Sequence, residues 1–496
     1  MSYAQLHRRH TKLSHLGHFT ALAQWDEATM MPKGGAAIRG DAMGTLEELR
    51  HELSVDPQIA DWIEAARNEA LDDWQSANLR EIERSYRIQT AFSSELVGAR
   101  TRTRSHCQHQ WTKLRPINDW ESFVPALEAV LELEREAGRV LGDTLGLEPY
   151  DALMQLYEPG ARRDTVDAHF QSLREFLPEF IARASAKSDA RTVIEARGPF
   201  PIHLQRELGL RLMKAVGFDF ERGRLDISAH PFCGGVPSDV RITTRYDEND
   251  FASALMGVLH ETGHAKYELG LPRDWSDQPV GRARSMSVHE SQSLLQEMQL
   301  SRSRPFLEFA APIIREVFPE LAALQPLAFS AENLHAIQTR VRPGLIRVDA
   351  DEVTYPCHVI LRYEIERELI QGQLEVRDIP ERWDAAMHDL LGLDTRGNYK
   401  DGPMQDIHWP SGAFGYFPTY TLGAMTAAQL NAALREAHPE LDAQLAAGNF
   451  ADIDAWLDDK IWSQASRLSG EELLEHATGG PLEVAPFIAH LEARYG

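Results

Sequence analysis

The chain has 496 residues, of which 51 are basic and 75 are acidic, so its formal charge at pH 7 is −24. This excess of negative charge makes nucleic acid and anionic membrane surfaces poor partners. Its three cysteines, Cys107, Cys233 and Cys357, form no CxxC pair, which excludes a disulfide framework and a thiolate metal site.

The sequence carries no targeting or membrane-spanning pattern. The first ten residues lack an apolar core of signal-peptide length, and no apolar run reaches about 18 residues. No internal repeat, low-complexity run or Ser/Gly linker divides the chain. We therefore expect a single cytoplasmic domain over residues 1–496 that binds neither membrane nor nucleic acid.

The helical N-terminal half, residues 1–217, offers little chemistry. Apolar residues at spacings of three and four predict helices there, and we expect these helices to wall a cleft. The predicted elements are a helix over 4–24, a turn over 25–32, a helix over about 35–53, nearly continuous helix from 56 to 141 with a break at 116–119, and helices over 164–186 and 201–216.

The composition of the chain changes at about residue 218. Residues 226–246 alternate β-branched and aromatic side chains around a turn rich in glycine and proline, which predicts a small antiparallel β-sheet. An exposed strand edge there could hold an extended peptide by main-chain hydrogen bonds. His230 lies in the turn, where its side chain either touches substrate or is satisfied by the backbone.

The helix predicted after the sheet carries His260 and His264, four residues apart, with Glu261 directly after the first. On an α-helix this spacing leaves the two rings about 40° apart around the axis and about 6 Å apart along it, so both imidazoles can reach one ion. Glu261 then stands beside the ion and can take a proton from the attacking water. This is the pattern of a zinc peptidase, although a chain with 20 histidines can also contain it by chance.

A catalytic zinc site usually takes three protein ligands, so a third must come from another segment. A histidine six residues beyond His264 is excluded, because Gly270 stands there. The next predicted helix, over 283–300, contains Glu290 near serines and a glutamine that could orient its carboxylate. The short connection lets this helix fold back beside the first, so we predict Glu290 as the third ligand. An exposed helix glutamate is the alternative, and His289 is a rival ligand.

The chain beyond residue 300 is again mostly helical, with two segments that stand out. Helices are predicted over 305–341, 357–371, 379–391 and 426–495. The segment 346–356 holds Arg347 among apolar and acidic residues, and 402–420 is dense in glycine, proline and aromatic residues, which is typical of an ordered loop that carries a site. We therefore place the metal and substrate site within about 218–425 and a helical tail over about 426–496.

Five motifs in chain order carry a resemblance to a known family. They are Asp239-x-Arg241-x-Thr243, His260-Glu261-x-x-His264, His289-Glu290-Ser291-Gln292-Ser293, Ile346-Arg347-x-x-Ala350-Asp351 and Gly402-x-x-Gln405-Asp406-x-His408-Trp409. Together with a similarity that runs nearly end to end, these motifs show that the sequence resembles the carboxypeptidase Taq family of metal-dependent carboxypeptidases.

The resemblance implies a mainly α fold, in which a neurolysin-like helical shell surrounds a deep substrate groove. It also implies a homodimer that uses zinc, or sometimes cobalt, to remove single residues from the C-termini of peptides. It supports His260, His264 and Glu290 as ligands and Glu261 as general base.

The resemblance also suggests which residues bind substrate. It implies that Arg347, assisted by Tyr420, binds the terminal carboxylate of the peptide, with His408 near that carboxylate or the developing oxyanion. An arginine suits this role because its planar fork matches a carboxylate. Arg241 is the next candidate anchor. The alternative for Arg347 is a structural ion pair with Asp349 or Asp351.

The sequence departs from the family at Lys266, Gln296 and Met298. None of the three is a proposed ligand, so they bear on specificity more than on activity. Three functions remain to be distinguished: a metallocarboxypeptidase, a metallo-oligopeptidase with the same ligands that cuts internally, and a helical peptide-binding protein with a relic site. The intact set of ligands and base favours the first.

Overall fold

The computed structural model describes residues 1–496, and their first part is helical with more breaks than the sequence predicts. The helices are α1 (Ser2–Thr29), α2 (Ala36–Ser54), α3 (Gln58–Ala66), α4 (Asp73–Ala91), α5 (Ser94–Leu114), α6 (Trp120–Leu145), α7 (Pro149–Met154), α8 (Arg163–Asp189) and α9 (Ile202–Ala215). The additional breaks have local causes. Asp72 and Gln75 form a capping box that starts α4, and the Ser93 side chain caps α5.

The turn predicted from residue 25 is wrong, because α1 continues to Thr29. Trp25 is buried, and its ring lies beneath two guanidinium groups, those of Arg241 at 4.3 Å and Arg224 at 4.9 Å from the ring centroid. The contacts of this buried indole with two cations stabilise the last turns of α1, which ends at Thr29.

The predicted sheet exists, but it is mixed rather than antiparallel. Its strands β1 (Gly223–Ile227), β2 (Phe232–Val236) and β3 (Asp239–Thr244) lie in the order β1-β3-β2. The hairpin of β2 and β3 is antiparallel, whereas β1 pairs with β3 in parallel. The short segment 228–231 crosses the end of β3, so β1 and β2 run in opposite directions on its two sides.

The central and C-terminal parts return to helix. They comprise α10 (Phe251–Gly270), α11 (Met286–Leu294), α12 (Arg304–Val317), α13 (Pro319–Leu324), α14 (Ala331–Gln338), α15 (Tyr355–Ile370), α16 (Ile379–Leu391), α17 (Pro418–Ala437), α18 (Leu441–Ala446), α19 (Ala451–Lys460), α20 (Gly470–Thr478) and α21 (Ala485–Tyr495). A π-helical turn, Leu295–Ser301, follows α11 directly. The mainly α fold with a helical shell around a groove is therefore confirmed, and the loop predicted over 402–420 gives way to α17 at Pro418.

Two large hydrophobic cores support the groove. One is built from α5 to α8, α15, α16 and α21, and the other from α9 to α14 and α18 to α20. Helix α17 contributes to both, with Leu422 and Met425 in the first and Leu430 and Leu434 in the second. None of the helices is both long and apolar enough to span a lipid bilayer.

Helix α10 is fixed at both ends and along its length. The Asp250 side chain accepts hydrogen bonds from the backbone N–H groups of Ala252 and Ser253, as expected for its N-cap. At the other end, Gly270 lies against the ring of Trp462, where a Cβ atom would come within 2.7 Å of it. Lys266, a departure from the family pattern, is buried and donates from Nζ to Asp454 Oδ1 at 2.6 Å, which ties α10 to α19.

We expect Lys266→Met to lower the free energy of unfolding by about 2–3 kcal/mol, because Asp454 would keep a partly buried charge without a partner. This loss is smaller than that expected for breaking a fully buried ion pair, because the Asp454 side chain is 26% exposed. Chemical denaturation of the purified variants measures it.

Lys460→Met is the matched control, since its partner Asp459 is exposed and the loss should stay below about 1 kcal/mol. The double variant Lys266→Met with Asp454→Leu should recover most of the stability, because neither charge is then left alone. A double variant as unstable as the single one would contradict this account of the pair.

Candidate active site

Two neighbouring helices bring three potential metal ligands together. His260 and His264 lie one turn apart on α10, and Glu290 lies on α11. Glu290 Oε2 is 3.4 Å from His264 Nε2 and 3.9 Å from His260 Nε2, and the three ligand atoms all lie within 4.8 Å of one another. Tetrahedral zinc with bonds of about 2.0–2.1 Å separates its ligand atoms by about 3.4 Å, so two imidazoles and a carboxylate at these distances fit such an ion.

The two imidazoles are oriented through their other ring nitrogen. His260 Nδ1 lies 2.9 Å from Glu297 Oε2, and His264 Nδ1 lies 3.0 Å from the carbonyl oxygen of His289. Each Nδ1 can donate its hydrogen there, which leaves Nε2 of both rings as a free acceptor towards Glu290. This is the arrangement that a cation needs.

The charges around the site favour a cation as well. Burial lowers the pKa of His264 to about 4, which keeps its ring neutral. Burial opposes a charge on His260 too, but Glu297 and Glu290 outweigh it and raise the pKa of His260 to about 10. Burial would raise the pKa of Glu290, yet the two histidines lower it to about 2. Glu297 and Glu290 thus place negative charge around His260, and a divalent cation would compete with a proton for its Nε2.

Glu261 stands beside the three ligands in a different environment. It is buried, lines the groove and hydrogen-bonds no other residue. Burial raises the pKa of Glu261 to about 7. A carboxylate with such a pKa can both accept and release a proton near neutrality, as a general base requires.

The position of Glu290 depends on two glycines. A Cβ atom at Gly263 on α10 would come within 2.4 Å of the Gln292 carbonyl oxygen, and one at Gly423 on α17 would come within 2.8 Å of Glu290 Cβ. Both distances are shorter than any tolerable contact, so α11 fits between α10 and α17 only because these two side chains are absent.

His289, the rival ligand, lies on the far side of His264. Its Nδ1 is 2.6 Å from His264 Nδ1, and its Nε2 is 2.8 Å from Glu268 Oε1. It therefore meets the nitrogen of His264 that faces away from Glu290. The three ligand atoms that converge do not include His289.

A groove of about 1060 Å³ opens at these residues. His260, Glu261 and Glu290 contribute to its lining, and so do Arg347 and Tyr420 from the later part of the chain. Two of the three potential metal ligands and the candidate carboxylate anchor thus line one groove, although Arg347 lies 57 positions after Glu290 in the sequence.

Arg347 forms an ion pair, but its partner is neither Asp349 nor Asp351, the two residues suggested by the sequence. Its Nη2 donates to Asp406 Oδ1 at 2.8 Å, and its Nη1 donates to the Tyr355 hydroxyl at 2.9 Å. Asp406 also accepts from Arg362 Nε at 2.8 Å, so one carboxylate faces two guanidinium groups. The ring of Tyr420 lies 4.8 Å from Arg347 Cζ. The two arginines and one aspartate of this cluster therefore carry a net positive charge.

His408 stands behind Tyr420 rather than in the lining of the groove. Its Nε2 lies 3.3 Å from the Tyr420 hydroxyl. Burial lowers the pKa of His408 to about 4, so its ring is neutral and can exchange a hydrogen bond with that hydroxyl.

The other two candidate substrate residues lie outside the groove lining. Arg241 pairs with Asp239 at 2.7 Å and stacks on Trp25, on the face of β3 opposite to Val240 and Ile242, which pack against α10. Strand alternation is the reason, since successive side chains point to opposite faces. The His230 side chain is exposed and makes no hydrogen bond, while the adjacent Pro231 lines the groove.

Sequence reasoning missed three residues of the site: Glu297, Tyr355 and Asp406. Glu297 follows Glu290 by seven residues, a spacing that places two side chains on one helical face and could have suggested it. Asp406 belongs to the last of the five motifs, but the motif alone does not indicate that it pairs with Arg347. Nothing in the sequence singles out Tyr355, whose hydroxyl meets Arg347 only after α15 has folded against the preceding segment.

Comparison with known proteins identifies the family of this chain. The profile of the carboxypeptidase Taq (M32) metallopeptidase family matches residues 5–495. Thermostable carboxypeptidase 1 of Thermus thermophilus is 38% identical over 506 residues, which cover 100% of this chain and 98% of the relative. Among solved structures, Trypanosoma cruzi metallocarboxypeptidase 1 has a TM-score of 0.97 at 44% identity, covering 100% of this chain and 99% of that one.

A second solved structure, a carboxypeptidase from Pyrococcus furiosus, has a TM-score of 0.95 at 32% identity and covers 100% of this chain and 99% of its own. These matches run through all five motifs, and they confirm the resemblance that the motifs suggest. The chain belongs to the carboxypeptidase Taq (M32) family of metallopeptidases and is a metallocarboxypeptidase.

Proposed function

We propose that this metallocarboxypeptidase binds a zinc ion through His260, His264 and Glu290 and releases single residues from the C-termini of peptides. The observation that carries the proposal is the convergence of these three ligand atoms, with Glu261 buried beside them. Cobalt suits the same two nitrogens and one oxygen, so it is the second candidate metal.

A zinc ion in this site would supply a Lewis acid that activates water and polarises the scissile carbonyl. Glu261 takes a proton from the attacking water and passes it to the amine that leaves. Its raised pKa suits both steps, because the carboxylate must be basic enough to accept the proton and acidic enough to release it.

Arg347 is our candidate for the terminal carboxylate of the peptide. Its pairing with Asp406 restricts it to one orientation, and Arg362 balances the charge of Asp406, so positive charge remains for the substrate. Tyr420 lines the same groove, and His408 orients its hydroxyl. Arg241 and His230 contribute less in this proposal, since neither lines the groove.

Two further parts of the proposal come from the sequence rather than from the structure. They are a homodimer and a cytoplasmic location. A metallo-oligopeptidase would share the metal ligands, but a buried arginine in the groove favours recognition of a free carboxylate. A relic peptide-binding protein would have no use for Glu261 together with all three ligands.

One experiment separates these functions. The protein is incubated with a single free-acid peptide, with and without a chelator, and the products are weighed over time. We expect a ladder that loses one residue at a time from the C-terminus and that disappears with the chelator. Internal fragments would instead indicate an oligopeptidase, and no cleavage by the metal-loaded protein would indicate a binding protein.

Glu261→Gln is the matched variant for that experiment, because it keeps the size of the side chain and removes the base. We expect the variant to bind zinc as the unaltered protein does and to lose activity by about 10²–10⁴-fold. Metal analysis and turnover measure the two properties separately. An active, metal-loaded variant would remove Glu261 from its assigned role.

The two glycines that flank α11 provide a test of the ligand assignment. Gly423→Ala should weaken zinc binding about tenfold or more, since the new Cβ collides with Cβ and Cγ of Glu290 and displaces its carboxylate. Competition with a chromophoric chelator measures the affinity.

Gly44→Ala is the control, because a Cβ atom at that helical position meets nothing within 4 Å. It should leave zinc affinity unchanged and slightly stabilise α2. If Gly423→Ala bound zinc as tightly as Gly44→Ala, Glu290 would not be the third ligand.

The role of Arg347 is tested by the form of the peptide terminus. We expect Arg347→Ala to lower kcat/KM on free-acid peptides about a hundredfold, while any residual cleavage of C-terminally amidated peptides changes much less. Comparing the two substrates within one variant cancels any loss of folded protein. Arg377→Ala, at an arginine that is 73% exposed, is the control. Equal losses on both substrates would move the anchor elsewhere.

A further inference from the structure

The end of the chain contacts the segment that supports the metal ligands. Arg494, in the last turn of α21, donates from Nη1 to the carbonyl oxygen of Met298 and from Nη2 to that of Gln299 at 3.0 Å. Both carbonyls belong to the π-helical turn Leu295–Ser301. A π-turn is rare and contains one residue more than an α-turn, so two donors on consecutive carbonyls stabilise a conformation that the chain would otherwise leave.

The same turn carries Glu297, the residue that orients His260. Glu297 Oε2 lies 2.9 Å from His260 Nδ1, and Glu297 Oε1 accepts from Arg302 Nη2 at 2.5 Å. Because side chains rotate about the axis by a different angle per residue in α- and π-helix, return of this turn to α-helical geometry would swing Glu297 away from His260.

Helix α21 also holds the groove on its other side, through Glu352. This buried carboxylate accepts from the Tyr495 hydroxyl at 2.7 Å and from Arg494 Nη1 at 3.2 Å, and it lies 2.8 Å from His490 Nε2. Gln299 Nε2 donates to it at 3.2 Å, which links it back to the π-turn. Glu352 lines the groove five residues after Arg347.

We propose that α21 positions the metal site, and that Arg494 does so by holding the π-turn in the conformation in which Glu297 meets His260. Arg494 does not line the groove and is a positioning residue. The proposal rests on the zinc site proposed above. It differs from a purely structural role in one respect: Arg494 controls zinc affinity, and not only the attachment of the last helix.

The test compares Arg494→Gln with Glu492→Gln, which replaces an exposed side chain on the same helix that forms no ion pair. Zinc affinity is measured on the full-length proteins by competition with a chelator, and the Tm of the metal-free proteins is measured alongside. We expect Arg494→Gln to bind zinc about tenfold to a hundredfold more weakly and to have a lower Tm, because Glu352 and two carbonyl groups lose a buried donor. Glu492→Gln should match the unaltered protein in both measurements.

Two results would overturn the proposal. One is equal zinc affinity in the two variants. The other is an equal loss of zinc affinity in Tyr495→Phe, which removes a hydrogen bond to Glu352 and none to the π-turn, because this would mark Arg494 as a stabilising contact only.

Arg494→Lys covers the case in which Arg494→Gln fails to fold. Lysine keeps the positive charge next to Glu352 but lacks the planar fork that serves two carbonyls at once, so an intermediate loss of affinity is expected. Unchanged affinity in this variant would also overturn the proposal.

The outcomes also separate this inference from the proposed function. If the unaltered protein bound no zinc, both would be wrong. If it bound zinc normally and the substitutions at Arg494 had no effect on the affinity, only this inference would be wrong.

Discussion

The chemistry of this enzyme depends on the close approach of α11 to its two neighbours. Glu290 Oε2 reaches within 3.4 Å of His264 Nε2 because α10 and α17 present glycines, Gly263 and Gly423, at the contact. Even one methyl group at either position would push α11 away by more than a metal–ligand bond tolerates. Close packing of α11 against both neighbours therefore lies where the Glu290 carboxylate is placed.

Around this contact the protein arranges buried charges so that each has a partner. Glu297 faces both His260 and Arg302, and Asp406 faces both Arg347 and Arg362. An unpaired charge in such surroundings would be costly, and each pairing also restricts the orientation of the side chain that meets metal or substrate. The exception is Glu261, whose carboxylate hydrogen-bonds no other residue and whose pKa burial raises to about 7, a value compatible with the proposed general base.

The groove is assembled from distant parts of the chain, and α17 joins them. This helix contributes side chains to both large cores, places Gly423 against Glu290 and presents Tyr420 beside Arg347. Helix α21 contacts the π-turn and Glu352, which both contribute residues to the lining of the groove. Helices α17 and α21 therefore both contact the surroundings of the candidate site, although neither carries a potential metal ligand.

The sequence alone was sufficient to predict most helices, the pair of histidines on α10 and the family. Helix periodicity, the spacing of four residues and each of the five motifs are properties of short segments. They could not reveal the parallel pairing of β1, the π-turn that brings Glu297 to His260, or Asp406 as the partner of Arg347. Each of these depends on contacts between segments far apart in the chain. Only tertiary packing decides such contacts, because many side chains could satisfy the same local pattern and just one of them lies within hydrogen-bonding distance once the cores have formed.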